Sequence, residues 1–146
     1  MIGCATFPTW DTYPGLFAAL ATGNPVIVKP HSNAVLPAAM TVSVLREVLA
    51  EQGFDPNVVT LAISMSPEQT TDLATDPRLA SIDFTGSSGF GLWLRDNARQ
   101  AHLYAERVGV NTIVIESTAD YSSMLRNLAF SLCLYSDQMC TTRRTC

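Results

Sequence analysis

Two residues in the second half of the chain are of types that form a nucleophile and a base. Cys140 lies in the polar stretch Ser-Asp-Gln-Met-Cys-Thr-Thr, and a cysteine thiolate is a strong nucleophile. Glu106 follows a predicted strand, and a carboxylate can act as a general base. Each also has an ordinary interpretation, because a free cysteine is more often a small buried residue and a lone glutamate is usually solvated. The residue types alone leave both alternatives open.

A glycine-rich turn and a lysine are of types that bind a nucleotide. Residues 84–91, Phe-Thr-Gly-Ser-Ser-Gly-Phe-Gly, join a predicted strand to a predicted helix, whose N-terminus suits a phosphate. The spacing is G-x-x-G-x-G rather than the usual G-x-G-x-x-G, so a purely structural turn is an equal alternative. Lys29 ends an apolar strand. At the carboxyl edge of a parallel sheet its ammonium would contact a ribose hydroxyl or a phosphate; otherwise it is an ordinary edge lysine.

Alternating strands and helices must position these side chains. Short β-branched runs predict strands, and apolar residues at helical spacing predict helices. The alternation favours right-handed β-α-β crossovers, and so an α/β fold with a Rossmann-like parallel sheet flanked by helices. The predicted strands are 2–5, 25–29, 58–62, 81–84, 102–105 and 112–115, and the predicted helices are 13–22, 36–52, 66–74, 88–97 and 120–135. The expected buried stripe of the last helix is Leu125, Leu128, Ala129 and Leu132.

Composition narrows the function classes. The 146 residues are 47% hydrophobic and 15% charged, which suits one domain with a buried core. A net charge of −4 argues against nucleic acid as a partner. The four cysteines and two histidines lack metal-ligand spacing, so no metal site is predicted. With neither an apolar run of about 20 residues nor a secretory signal, we expect no membrane partner and a cytoplasmic location.

Taken together, the motifs resemble the aldehyde dehydrogenase superfamily over nearly the whole chain. Residues 21–30 resemble the family's strand that ends in a cofactor-binding lysine, and residues 84–87 resemble its pyrophosphate-binding turn. Residues 106–109 lie where the family has Glu-Leu-Gly-Gly, and residues 138–140 lie where it has Gln-x-Cys. The spacing between these segments also agrees with the family.

A finer resemblance points to one branch of the superfamily. Residues 4–10, residues 13–17 and the triplet Lys29-Pro30-His31 are similar to the bacterial aldehyde dehydrogenases of phenylacetic acid degradation. This resemblance implies a role in aromatic degradation.

The resemblance to the superfamily implies a reaction and a set of site residues. The reaction is the NAD(P)-dependent oxidation of a small aldehyde to a carboxylate through a cysteine thiohemiacetal. Cys140 would be the nucleophile and Glu106 the base, while Thr6 stands where most members carry the oxyanion-stabilising asparagine. The implied cofactor-binding residues are Lys29, Ser32, Ser66, Gly86 and Ser87.

Several departures from the family pattern bear on activity and cofactor. Ser32 stands where many NAD-specific members carry glutamate, and its lack of a carboxylate leaves Lys29 free to attract a 2′-phosphate, which favours NADP over NAD. Ser66 replaces a glycine near the adenine site, and Val108 replaces one after the base. Asp137 replaces a glycine before the nucleophile, where its carboxylate disfavours the thiolate.

The family's aldehyde-binding domain follows the cysteine. We therefore expect residues 1–136 to form the NAD(P)-binding domain and residues 137–146 to begin a catalytic domain that is otherwise absent, as in an internal fragment. Such a fragment should oxidise aldehydes negligibly, whereas full-length relatives are expected to be homo-oligomers. The alternatives are an inactive dinucleotide-binding remnant and a fragment that is unstable alone.

Overall fold

The computed structural model describes residues 1–63, 66–107, 109 and 112–133. The chain forms two compact units, residues 1–106 and 107–146. The helices are α1 (Tyr13–Ala21), α2 (Val35–Glu51), α3 (Pro67–Ala74), α4 (Ser88–Asn97) and α5 (Tyr121–Cys133). The strands are β1 (Val26–Val28), β2 (Val59–Leu61), β3 (Ser81–Gly86) and β4 (His102–Arg107), and short 3₁₀ turns span Ser32–Ala34 and Pro56–Val58. This alternation confirms the predicted α/β, Rossmann-like fold.

The strands form two pairs that a single residue joins. β1 and β2 are parallel, with Val26 opposite Val59 and Val28 opposite Leu61, and β3 pairs with β4. Ile2 forms parallel bridges to both Lys29 and Phe84, and so lies between the two pairs.

The predicted strand over residues 2–5 is reduced to this one bridging residue. The backbone N–H of Cys4 donates to the Asp11 carboxylate at 2.9 Å. This local bond takes the place of a ladder hydrogen bond at that position, because a backbone N–H that a side chain satisfies is no longer available to a neighbouring strand.

Helices lie on both faces of the sheet. Side chains alternate along β3, so that Ile82 and Phe84 are buried with Leu94 of α4. Asp83 points to the opposite face and meets Gly15 of α1. The other core cluster joins α1, α2, β1 and β2 through Leu16, Val26, Val28, Ala38, Val42 and Val59.

Local signals set the helix ends. Ser66 and Ser87 are the N-caps of α3 and α4, and their hydroxyls accept from the backbone N–H groups of Gln69 and Phe90. Gly23 and Gly53 follow α1 and α2 with φ angles of 78° and 79°. This left-handed conformation favours glycine and ends both helices.

The C-terminal unit departs from the predictions. Residues 112–118 form no strand, so the prediction for 112–115 is wrong, because a β-branched run still needs a hydrogen-bonded partner. No residue of α5 is buried, and Leu125 is 45% exposed. The predicted buried stripe is therefore wrong as well. Within the described residues of this unit, no second helix or strand begins that could cover α5. Residues 134–136, the predicted end of the helix, lie outside the described residues.

Helix α2 is more apolar than the sequence analysis recognised. Together with the preceding 3₁₀ turn, residues 32–51 are long and apolar enough to cross a membrane by length and composition, with a mean hydropathy of 1.3. The expectation that no such segment exists was wrong. One side of the helix, including Ala38 and Val42, packs against the β1–β2 pair, whereas Leu36, Met40, Val44 and Val48 are exposed.

Candidate functional site

Several of the predicted site residues follow strands that run in the same direction. The chain at Ile2 is parallel to β1 and to β3, and β1 is parallel to β2. The carboxyl ends of these strands therefore meet at one edge of the sheet. Lys29 follows β1, Ser66 lies beyond the end of β2, and Gly86 ends β3, so the predicted cofactor-binding residues share this edge.

Lys29 is held at this edge by its backbone and leaves its ammonium available. Its N–H donates to the Met1 carbonyl at 2.8 Å, and its own carbonyl accepts from the Gly3 N–H at 3.0 Å. Partial burial lowers the pKa of the Lys29 ammonium below its usual value. No carboxylate in the described part of the chain forms an ion pair with it. A half-buried cation without a counter-charge is suited to an anionic ligand.

The segment after Lys29 adds polar groups and no negative charge. Ser32 is exposed and begins the 3₁₀ turn Ser32–Ala34. The Nδ1 atom of His31 accepts from the Asn33 N–H at 3.1 Å and so caps this turn. Residues 12–46 contain no Asp or Glu, although the whole chain has a net charge of −4.

The glycine-rich turn serves packing at one glycine and leaves space at another. A Cβ on Gly86 would lie 2.8 Å from the Phe84 ring, whereas a Cβ on Gly89 would meet nothing within 4 Å. Gly86 is therefore glycine for a structural reason. Gly89 leaves an open approach to the start of α4, where a phosphate would meet the positive end of the helix dipole.

An aromatic stack, which the sequence analysis missed, holds this turn in place. The Phe84 and Phe90 rings meet edge to face at 5.4 Å, and the Phe90 and Trp93 rings stack at 5.6 Å with an angle of 4° between them. Phe90 and Trp93 are three residues apart, which places them on one face of α4. This three-residue spacing is the sequence signal from which the stack could have been predicted. The contacts bind the first turn of α4 to β3, and so fix Ser87 relative to the strand end.

The predicted catalytic residues are described only in part. Glu106 lies near the end of β4 and is exposed, and Thr6 is exposed in the loop before α1. The Thr6 hydroxyl lies 3.4 Å from the Cys4 sulfur, within hydrogen-bonding distance. The predicted nucleophile Cys140 lies outside the described residues, as do Val108 and Asp137. The predicted cofactor-binding residues thus share one edge, while the assignment of Cys140 stays a prediction.

Asp83 is a second carboxylate on the Glu106 side of the sheet that the sequence analysis did not single out. Burial raises the pKa of the Asp83 carboxyl; the nearby Met1 amino group opposes the shift, and the charges of Glu106 and Asp11 add to it. The Oδ1 atom of Asp11 is itself buried without a hydrogen-bond partner. Negative charge from Asp83, Glu106 and Asp11 thus gathers on this side of the sheet.

Comparisons with known proteins agree with the fold. The model of the Aldehyde dehydrogenase family matches residues 7–146. A 1-pyrroline-5-carboxylate dehydrogenase of Bacillus cytotoxicus is 32% identical over 132 residues, which cover 85% of this chain and 25% of the relative. The crystal structure of an NAD-dependent aldehyde dehydrogenase from Burkholderia multivorans is 56% identical with a TM-score of 0.91, over 98% of this chain and 26% of that one.

A more distant structure shares the fold. It is the glyceraldehyde-3-phosphate dehydrogenase GapN from Methanocaldococcus jannaschii, complexed with NADP, at 23% identity and a TM-score of 0.89, over 97% of this chain and 32% of that one. This chain spans about a quarter of the length of the first relatives it matches.

Proposed function

The chain belongs to the aldehyde dehydrogenase family, and on that premise we propose that it binds a nicotinamide dinucleotide as the cofactor-binding part of an aldehyde-oxidising enzyme. The observation that carries the proposal is the half-buried Lys29 ammonium, which has no carboxylate partner among the described side chains. It shares a sheet edge with the open turn at Gly89. A cation and a helix N-terminus at one edge suit a ligand with several phosphates.

Each part of the edge has a proposed role toward the dinucleotide. Lys29 contacts the adenine ribose or its phosphate, and the turn at Gly86 and Ser87 holds the pyrophosphate. Ser66, at the N-cap of α3, lies on the adenine side. The absence of acidic residues over 12–46 supports these roles, because a carboxylate beside any phosphate would oppose binding.

NADP is the proposed cofactor in preference to NAD. Ser32 has no negative charge to repel a 2′-phosphate, and Lys29 supplies a positive one. The relatives include both kinds, since the Burkholderia multivorans enzyme is named NAD-dependent and GapN is complexed with NADP.

The catalytic proposal follows the family assignment. The Cys140 thiolate attacks the aldehyde carbonyl, the Thr6 hydroxyl donates to the developing oxyanion, and Glu106 removes a proton from the water that cleaves the thioester. The cofactor, when bound, supplies the hydride acceptor. The support for Thr6 and Glu106 is their exposure in the loop before α1 and at the end of β4.

The aldehyde itself is proposed only by class. Aromatic degradation stays a prediction from residues 4–10 and 13–17, and the curated relatives are named for 1-pyrroline-5-carboxylate. The family assignment supports an aldehyde as the substrate class.

Ligand-dependent unfolding tests the cofactor proposal. A ligand that binds only the native chain raises the melting temperature, and a concentration of 100 times its Kd adds about 2.7 kcal/mol to the free energy of unfolding. We expect NADP+ to raise the melting temperature more than NAD+ at equal concentration. Arg99→Gln, an exposed charge change on the loop after α4, is the control and should respond as the wild type does. A melting temperature that neither nucleotide changes would contradict the proposal.

A chain that is unstable alone is a second candidate, and one observation favours it. Large apolar side chains are exposed on the first unit, including Trp10 at 75%, Leu36 at 70% and Met40 at 62%. Exposed apolar area of this kind is usually covered by a partner. A broad, non-cooperative melt with binding of a hydrophobic dye would support this candidate, whereas a sharp melt without dye binding would exclude it.

A further inference from the structure

One hydrogen bond determines which nitrogen of His31 carries the proton. The Nδ1 atom accepts from the Asn33 N–H at 3.1 Å. A neutral imidazole that accepts at Nδ1 must carry its hydrogen on Nε2. The ring is therefore held with a donor at Nε2, and no acceptor among the residues that the structure describes takes that hydrogen.

His31 lies close in sequence to the proposed ribose contact. His31 is two residues beyond Lys29 and immediately precedes Ser32, at the carboxyl end of β1. His31 and Lys29 are both half-buried, while Ser32 is exposed. Because residues 12–46 carry no Asp or Glu, no acidic side chain of this segment competes for the donor.

Lysine and histidine supply different parts of phosphate recognition. An ammonium on a flexible stem attracts any nearby anion and gives little direction. A ring N–H held by a second hydrogen bond has a fixed direction, and a bond from it to a charged oxygen is stronger than one to a hydroxyl. A donor of fixed direction beside a cation therefore favours a ligand with a phosphate at the contacted position over one with a hydroxyl there.

We infer that the Nε2–H of His31 donates to the 2′-phosphate of the bound dinucleotide, so that His31 is a specificity-determining residue for NADP. The inference rests on the proposed cofactor site and adds a residue to it. The ordinary alternative is that His31 only caps the 3₁₀ turn.

Two substitutions separate recognition from capping. His31→Ser keeps a side-chain oxygen of a kind that caps helices well. The shorter serine side chain cannot place a donor where the Nε2–H of the ring lies. His31→Ala removes both the cap and the donor. If His31 only caps the turn, His31→Ser should behave as the wild type and only His31→Ala should differ.

The experiment measures the Kd of NADP+ and NAD+ for the 146-residue chain and both variants by calorimetry at one salt concentration, with 2′-AMP and 5′-AMP as smaller probes. We expect His31→Ser to weaken NADP+ and 2′-AMP about tenfold, the usual effect of losing one hydrogen bond to a charged group. NAD+ and 5′-AMP should change less than about twofold, since they lack the 2′-phosphate.

The outcomes distinguish the role of His31 from the proposed cofactor site on which it rests. Equal weakening of NADP+ and NAD+, or no change in either, would overturn the role of His31 while leaving the cofactor site intact. If the wild-type chain binds neither nucleotide, the cofactor site is wrong and the role of His31 falls with it.

Discussion

Ser32→Glu should convert the proposed preference for NADP into a preference for NAD. Ser32 is exposed at the start of the 3₁₀ turn, so a carboxylate there would act through a largely aqueous medium. Two unit charges about 5 Å apart in water repel by about 0.8 kcal/mol. A phosphate with a charge of about −1.5 to −2 brings this to about 1.4 kcal/mol, which is about a tenfold loss of NADP+ affinity.

The assay is the Kd of each nucleotide for the wild type and for two variants. Ser81→Glu is the matched control, because Ser81 is also exposed and begins β3, at the opposite edge of the sheet. NADP+ should weaken only in Ser32→Glu, and NAD+ should keep its affinity, since its 2′-hydroxyl can donate to the new carboxylate. Added salt should reduce the difference, because exposed charges are screened. If both glutamates weaken NADP+ equally, or if Ser32→Glu weakens both nucleotides alike, Ser32 does not face the 2′ position.

Three further predictions concern one charge, one acid and one core residue. In a calorimetric titration, binding of either nucleotide to the wild type should weaken as the pH rises through the pKa of Lys29, because only the ammonium attracts phosphate. Burial holds this pKa below its usual value. Lys29→Gln should bind both nucleotides weakly at every pH. Asp83→Asn should raise the melting temperature at pH 7, because burial disfavours the charged carboxyl, and this gain should vanish below about pH 4, where aspartic acid is protonated in the folded and unfolded states alike. Leu94→Ala, at a site with 0% exposure, should cost about 2–5 kcal/mol of unfolding free energy in urea.

Each of these three has a control elsewhere on the same unit. Arg78→Gln removes a surface charge that pairs with Asp76 and should leave the pH dependence of binding in place. Asp72→Asn, at an exposed position on α3, should show no gain in melting temperature at pH 7. Leu92→Ala, at 39% exposure, should cost less than about 2 kcal/mol. A pH-independent wild type, a destabilised Asp83→Asn, or equal costs at Leu92 and Leu94 would contradict the respective arguments.

Features with local causes were predictable from the sequence. The structure begins and ends α4 at the predicted residues 88–97, because the Ser87 cap and the apolar spacing are both encoded within the segment itself. The same is true of the Ser66 cap and of the turn at Gly23. Helix ends of this kind can be predicted without knowing the tertiary contacts of the helix.

Features with distant causes were not predictable. The environment of Asp83 depends on Gly15, whose missing side chain leaves room for the carboxylate, and the two are far apart in sequence. Gly86 was interpreted from its motif, yet its immediate constraint is the Phe84 ring. The burial of α5 likewise depends on partners, and helical periodicity alone says only which side could be covered.

The bridge at Ile2 has a consequence for how the cofactor edge forms during folding. The backbone of Ile2 donates to the Asp83 carbonyl at 2.8 Å and accepts from the Thr85 N–H at 3.0 Å, while Met1 and Gly3 bond to Lys29. These three residues therefore align the lysine that follows one strand pair with the turn that follows the other. The pairing of residue 2 with residue 84 closes a much longer loop than the pairing of Val26 with Val59 within the first strand pair, and so it forms more slowly. We expect each strand pair to assemble with its own helices first, and the ability to bind both ends of a dinucleotide to appear only when this last central pairing forms.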